Sequence, residues 1–259
     1  MFVEVRDQLV HTAQFGSGDP PIVGVSGAIG TWEIWQQPFE ILSRNHRVIA
    51  YDHFGAGETR VPAARVTFDE QVAVLSGLLD GLEIERCVLA ADSNMVAVGV
   101  GVALEQSDRI GGLALVSGGV VHQASKVITD FVAGLRNDFD ATVDAFVQFC
   151  IPEEGSDHLR AWLADIIRRT GSERTARLQE SFYGVDLSDR LGELAMPTVA
   201  IHGEHDVFPA SRVEAARQMV DKIPNGELVV LPGVGHVPTL TRPGEVAAVI
   251  ERLAEKMNR

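Results

Sequence analysis

The sequence predicts an α/β protein built on a mostly parallel sheet and interrupted by a helical insertion. Two observations carry this. Short, continuously apolar runs alternate with segments of helical periodicity, as expected for strands buried on both faces and linked by crossover helices. The alternation stops after Gly119, and residues 124–194 place their apolar side chains at helical spacing without a central strand. It resumes at "MPTVAIHGEHD" and continues to the last helix. We therefore divide the chain into a core of residues 1–120 and 194–259 and a lid of residues 121–193, set over the carboxyl edge of the sheet.

In chain order, residues 1–15 alternate weakly and fit one or two edge strands. "DPPIVGVSG" gives a turn and a strand at Ile22–Val25, and "AIGTWEIWQQPFEILSRN" a loop and a helix. "HRVIAYD" is a strand ending at Asp52, followed by the glycine-bearing loop "HFGAGET". Phe68, Val72, Leu75, Leu78, Leu79 and Leu82 mark a helix. "RCVLAA" is a strand, "DSN" a sharp turn, "MVAVGVGVALEQSD" a helix and "IGGLALVSG" another strand. In the insertion, Val127, Phe131 and Leu135 form one helical stripe. Phe139, Val143, Phe146, Val147 and Cys150 form a second, and Trp162, Leu163, Ile166 and Ile167 a third. "TVAI", "SRVEAARQMVDKI", "GELVVL" and "PGEVAAVIERLAEKM" complete the pattern as strand, helix, strand and helix, with Pro243 suited to a first helical turn.

Composition bounds the function. A chain of 259 residues with 46% hydrophobic content can bury a sizeable core. The net charge of −14 repels a phosphate backbone and an anionic bilayer, so neither nucleic acid nor membrane is an expected partner. Cys87 and Cys150 are too few for a disulfide framework and read as buried thiols. The N-terminus has acids and no apolar signal core, and the longest apolar run, Met95–Leu104, is too short for a span. The expected location is cytoplasmic.

The reactive residues are legible as an ordered set. In Ala91–Asp92–Ser93–Asn94–Met95 a strand turns sharply into a helix, which would expose the Ser93 side chain above the sheet. Small flanking residues let strand and helix pass closely. Ala91 meets that need and Met95 departs from it. The plain alternative is that Ser93 only caps the helix. A serine needs a base, and His236 lies in a glycine-containing loop beyond a late strand, in "PGVGHVPTL". The base needs an orienting carboxylate, and Asp206 ends "HGEHD" 30 residues earlier, with Glu204 as the nearby alternative. The Asn94 amide and the Ala28 amide in "VSGAIG" are the expected oxyanion donors.

Other signals are weaker. "DHFGAGET" and "SGAIGTW" fit neither a dinucleotide fingerprint nor a P-loop. His202, Glu204, His205 and Asp206 are too compressed around a strand end to promise a metal site. No cofactor or metal is expected.

"SGAIGTW", "HRVIAYDHFGAGET", "VLAADSNMV", "PTVAIHGEHDVFPASR" and "LPGVGHVPTLTRP" together resemble the α/β-hydrolases over nearly the whole chain. That resemblance implies an eight-stranded, mostly parallel sheet and a triad in the order Ser93, Asp206, His236. The usual early His-Gly is here Ser26–Gly27, which leaves the backbone amides in place. The insertion resembles, less specifically, the four-helix lid of strigolactone and karrikin receptors and their bacterial stress-signalling relatives.

The implied reaction is acyl transfer from a small hydrophobic ester or lactone to water through a serine adduct. Candidate pocket residues are Trp32, Met95, Phe131, Phe139, Phe146, Trp162 and Phe182. Three alternatives stay open: carbon–carbon bond hydrolysis, a weakly catalytic ligand receptor, and dehalogenase or epoxide chemistry with Asp92 as nucleophile. Oligomeric state is unreadable, with a homodimer preferred.

Overall fold

The computed structural model describes residues 1–257. Its sheet has eight strands: β1 (Phe2–Val5), β2 (Gln8–Phe15), β3 (Ile22–Val25), β4 (Val48–Tyr51), β5 (Cys87–Asp92), β6 (Ile110–Val116), β9 (Thr198–Gly203) and β10 (Gly226–Leu231). Their order is β1-β2-β4-β3-β5-β6-β9-β10. β1 and β2 pair antiparallel and β2 joins β4 antiparallel, while every pairing from β4 to β10 is parallel.

Helices α1 (Gln36–Leu42) and α10 (Pro243–Met257) cover one face, and α2 (Phe68–Gly81), α3 (Met95–Glu105) and α8 (Val213–Val220) the other. The unbroken apolar strands follow from this two-sided burial. In β5, Cys87, Leu89 and Ala91 enter the core beneath α2 and α3, whereas Val88 and Ala90 enter the core beneath α10. Each fully buried leucine there contributes roughly 1.5–3 kcal/mol by leaving water. α2 starts at the N-cap Thr67, whose Oγ1 accepts the Glu70 N–H at 3.2 Å.

Between β6 and β9 the chain builds α4 (Lys126–Asn137), α5 (Phe139–Cys150), α6 (Asp157–Thr170) and α7 (Ser172–Glu180). A two-residue ribbon, β7 (Val121–His122) with β8 (Val185–Asp186), brackets them outside the main sheet. The inner faces of the four helices share a core that also takes Ile29 and Ile34 after β3, and Val237 and Leu240 after β10. The insert is thus seated on the loops at the carboxyl ends of the strands. Arg136 on α4 bridges to Glu173 and Glu180 on α7, and Arg168 on α6 to Asp140 and Asp144 on α5. These pairs are exposed and add little stability each. Short α9 (Pro238–Thr241) links the last strand's loop to α10.

Candidate active site

Ser93 sits at the end of β5 with φ +54°, a left-handed conformation that a serine adopts only under constraint. The constraint is visible. The Ser93 amide donates to the Val116 carbonyl of the neighbouring strand, and its carbonyl accepts the first turn of α3 from Val96. Gly118 passes so close that an added Cβ would lie 2.0 Å from the Ser93 carbonyl oxygen. Strand, turn and helix together push the hydroxyl out above the sheet.

His236 and Asp206 reach this hydroxyl from the loops after β10 and β9. Ser93 Oγ lies 3.0 Å from His236 Nε2, and His236 Nδ1 lies 2.7 Å from Asp206 Oδ2. A carboxylate only accepts, so Nδ1 carries the proton and Nε2 presents its lone pair to the serine hydroxyl. Asp206 Oδ1 is occupied by the Phe208 amide at 3.1 Å. Ser211 Oγ lies 3.3 Å from the same His236 Nδ1. The imidazole is held edge-on against Phe208 at a 4.6 Å ring distance. Its backbone amide donates to the Cys150 carbonyl at the end of α5, at 2.8 Å. Glu204 turns away, exposed, and accepts the Gly233 amide. The other two members of the compressed cluster also diverge: His202 is buried with Nδ1 on the Ser211 carbonyl, and His205 is exposed.

Burial alone would lower the His236 pKa. The charge and hydrogen bond of Asp206, and the charge of Asp92, override it and hold the imidazole above its ordinary 6.5. Asp92 faces the opposite balance. Burial pushes its carboxyl up to about 7, against the pull of the His236 charge and the Gly27 amide. Its Oδ2 accepts that amide at 3.2 Å, while Oδ1 has no partner among the described residues.

Gly27 opens the loop that faces Ser93. A Cβ there would stand 2.9 Å from the Ser93 Cβ, so the loop can lie this close only with glycine at this position. Its carbonyl accepts from His53 Nε2 at 3.2 Å. Ser26 Oγ closes the loop onto the Thr31 carbonyl, and Asp52 accepts the Trp32 amide at 2.9 Å. The loop is therefore braced at both ends. Among the described residues, the Ala28 and Asn94 amides donate to no protein acceptor, and both residues line the cavity at Ser93.

That cavity measures about 1130 Å³ and runs from Ser93 and His236 beneath the insert. Phe131, Phe146 and Phe182 form part of its wall. Four other sequence candidates do not. Met95, as the first residue of α3, turns down into the core between helix and sheet. Trp32 packs beside Phe15 at a ring distance of 6.1 Å. Phe139 packs, half-buried, against the insert's own core, and Trp162 lines a separate depression with Gln36 and Pro243. Helical periodicity marks which residues face inward, but not whether they meet a packed neighbour or the cavity.

Sequence reasoning missed His53, His122, Gln179 and Ser211. His53 lay within the quoted loop "HFGAGET", where its position after a strand was the available signal. His122 lines the cavity with Nε2 on the Gly119 carbonyl, and burial lowers its pKa to about 4, so it stays neutral. Gln179 had no signal, because only the folded insert brings α7 to the elbow.

The sequence profile of the alpha/beta hydrolase family matches residues 22–249. The chain is 27% identical over 258 residues to a pimeloyl-[acyl-carrier protein] methyl ester esterase of Nitrosomonas europaea, covering 94% of this chain and 99% of that one. It is 26% identical to a 2-hydroxy-6-oxo-6-(2'-aminophenyl)hexa-2,4-dienoic acid hydrolase of Metapseudomonas resinovorans, covering 95% and 87%. The fold superposes on the enol-lactonase of Burkholderia xenovorans LB400 with a TM-score of 0.91 at 22% identity, over 98% of this chain and 100% of the other.

Proposed function

We propose, for a chain that belongs to the alpha/beta hydrolase family, that it cleaves a small hydrophobic ester or lactone through an acyl-enzyme on Ser93. The observation that carries this reading is the continuous relay from Ser93 Oγ to His236 at 3.0 Å and on to Asp206 at 2.7 Å, opening into a largely apolar cavity. The esterase and enol-lactonase named among its relatives act, by their names, on an ester and a lactone.

In this mechanism His236 Nε2 takes the Ser93 proton as Oγ attacks the scissile carbonyl carbon. The carbonyl electron pair moves onto oxygen, and the Ala28 and Asn94 amides, free of protein partners, stabilise that charge. Asp206 holds the imidazolium. Collapse of the tetrahedral adduct expels the alcohol, which takes the proton from His236. Water then attacks the acyl-enzyme with His236 again as base, and the acid leaves. Asp92 is not the attacking group here, since Ser93 and not Asp92 occupies the left-handed position facing His236.

A fluorophosphonate probe should label Ser93, mapped by mass spectrometry, and the label should vanish in Ser93→Ala and His236→Ala. No label on folded protein would overturn the reading. A second arm of the same assay tests a receptor role: labelling with negligible turnover of an ester and lactone panel would favour ligand binding over catalysis.

The pH profile follows from the two shifted groups. The base works only when neutral, and its pKa is raised, so kcat/KM should fall towards acid with a midpoint above 6.5. That limb belongs to His236 and Asp92 together. Asp92→Asn removes an anion that supports the imidazolium, so the midpoint should move to lower pH. Rates on p-nitrophenyl butyrate between pH ~5 and ~9 check this. An unmoved or upward-moving midpoint would show that the Asp92 charge does not reach the base.

A further inference from the structure

The elbow is tied to the insert by one polar contact. Asn94 Nδ2 donates to Gln179 Oε1 on α7 at 3.0 Å, across 85 residues of sequence. Both residues are half-buried, and both line the same cavity as Ser93 and His236. Two primary amides joined by one hydrogen bond have unspent capacity. Whichever way the two groups are turned, one amide N–H₂ and one amide oxygen remain. Neither residue makes another side-chain hydrogen bond among the described residues. The pair therefore leaves a donor and an acceptor beside the reactive serine, on a wall that is otherwise mainly apolar.

A link needed only to hold α7 in place would be served by apolar contact, and α7 already packs Ala176 into the insert's core. The amide groups left free belong to residues that line the cavity, where a ligand's own polar groups can pair with them. Neither amide carries charge, and the neighbouring Asp92 carboxylate disfavours an anion.

We propose that Asn94 and Gln179 form a polar subsite that takes an uncharged group able both to donate and to accept, a hydroxyl or carboxamide a few bonds from the scissile carbonyl. The proposal rests on the serine-hydrolase reading above and narrows its substrate class. The preferred ester is then not a plain alkanoate but one with a hydroxyl or amide near the reacting carbon.

Three isosteric esters test this: methyl 3-methylbutanoate, methyl 3-hydroxybutanoate and methyl malonamate, with hydrolysis followed by pH-stat on the intact protein. The native protein should favour the two polar esters by about tenfold or more in kcat/KM. Gln179→Leu should erase that preference, bringing the polar-to-apolar ratio of kcat/KM close to one. Gln179→Asn, which shortens the arm but keeps the amide, should restore part of it. Equal polar-to-apolar ratios in native and Gln179→Leu protein would overturn the subsite, as would an equal loss on all three esters. The fluorophosphonate label separates the two levels of inference. A labelled Ser93 with no polar preference removes the subsite alone, and an unlabelled Ser93 removes the hydrolase reading with it.

Discussion

Ser93→Ala is expected to cut kcat by about 10⁶-fold, because the serine and its base act as a unit and little is left when either goes. The fold should be kept. Alanine is no more at ease at φ +54° than serine, so urea unfolding should give the same midpoint. Ser93→Gly separates the two properties. Glycine accepts the left-handed conformation without penalty, so this variant should be equally inactive yet more stable by about 1 kcal/mol. Matching losses of activity, with a stability gain in the glycine variant alone, would show that the elbow gives up folding energy to expose its hydroxyl. Substantial residual turnover in Ser93→Ala would mean that another group attacks the substrate.

Asp206→Asn should lower kcat by about 10⁴-fold with little change in KM. The reason is tautomeric. An amide at this position can present N–H₂ towards Nδ1, which moves the imidazole proton to Nε2 and leaves no lone pair for the serine. Besides Asp206, Ser211 Oγ is the one side chain among the described residues within hydrogen-bond reach of Nδ1, at 3.3 Å. The double variant Asp206→Asn, Ser211→Ala should therefore fall below the single one. A double variant equal to the single would exclude Ser211 from holding the histidine. Steady-state rates on one activated ester suffice for both comparisons.

The sheet was legible because its physics is local. The inner parallel strands β3, β4, β5, β6 and β9 are buried on both sides, so they had to read as apolar runs, and the crossover helices α2 and α8 as stripes. Ser93, Asp206 and His236 were legible for a related reason. All three stand where an apolar run ends, and chain order alone suggests that their loops meet. The cavity wall was much less so. Trp32, Met95, Phe139 and Trp162 are large and apolar like Phe131, Phe146 and Phe182, yet only the last three border the cavity. What separates the groups is the packing of α4–α7 against each other and against the loops after β3 and β10, and no spacing rule encodes that. The Asn94–Gln179 contact was hidden for the same reason, as was the Cys150 carbonyl that anchors the His236 backbone.

The placement of α4–α7 between β6 and β9 has an evolutionary consequence. Ser93, Asp206 and His236 stand in the turn and loops that follow strands, while much of the cavity wall is encoded in one continuous stretch that adds nothing to the main sheet. Substitutions in that stretch are expected to redraw the cavity wall and leave the Ser93–His236–Asp206 hydrogen bonds in place, so proteins sharing this scaffold are expected to differ more freely in the wall than in these three residues. The exceptions are the points where the stretch touches the machinery itself. Cys150 holds the His236 backbone through its carbonyl while its buried side chain packs in the insert's core and borders the cavity, and Gln179 reaches Asn94 through its side chain, so substitution at either position should be felt at the site.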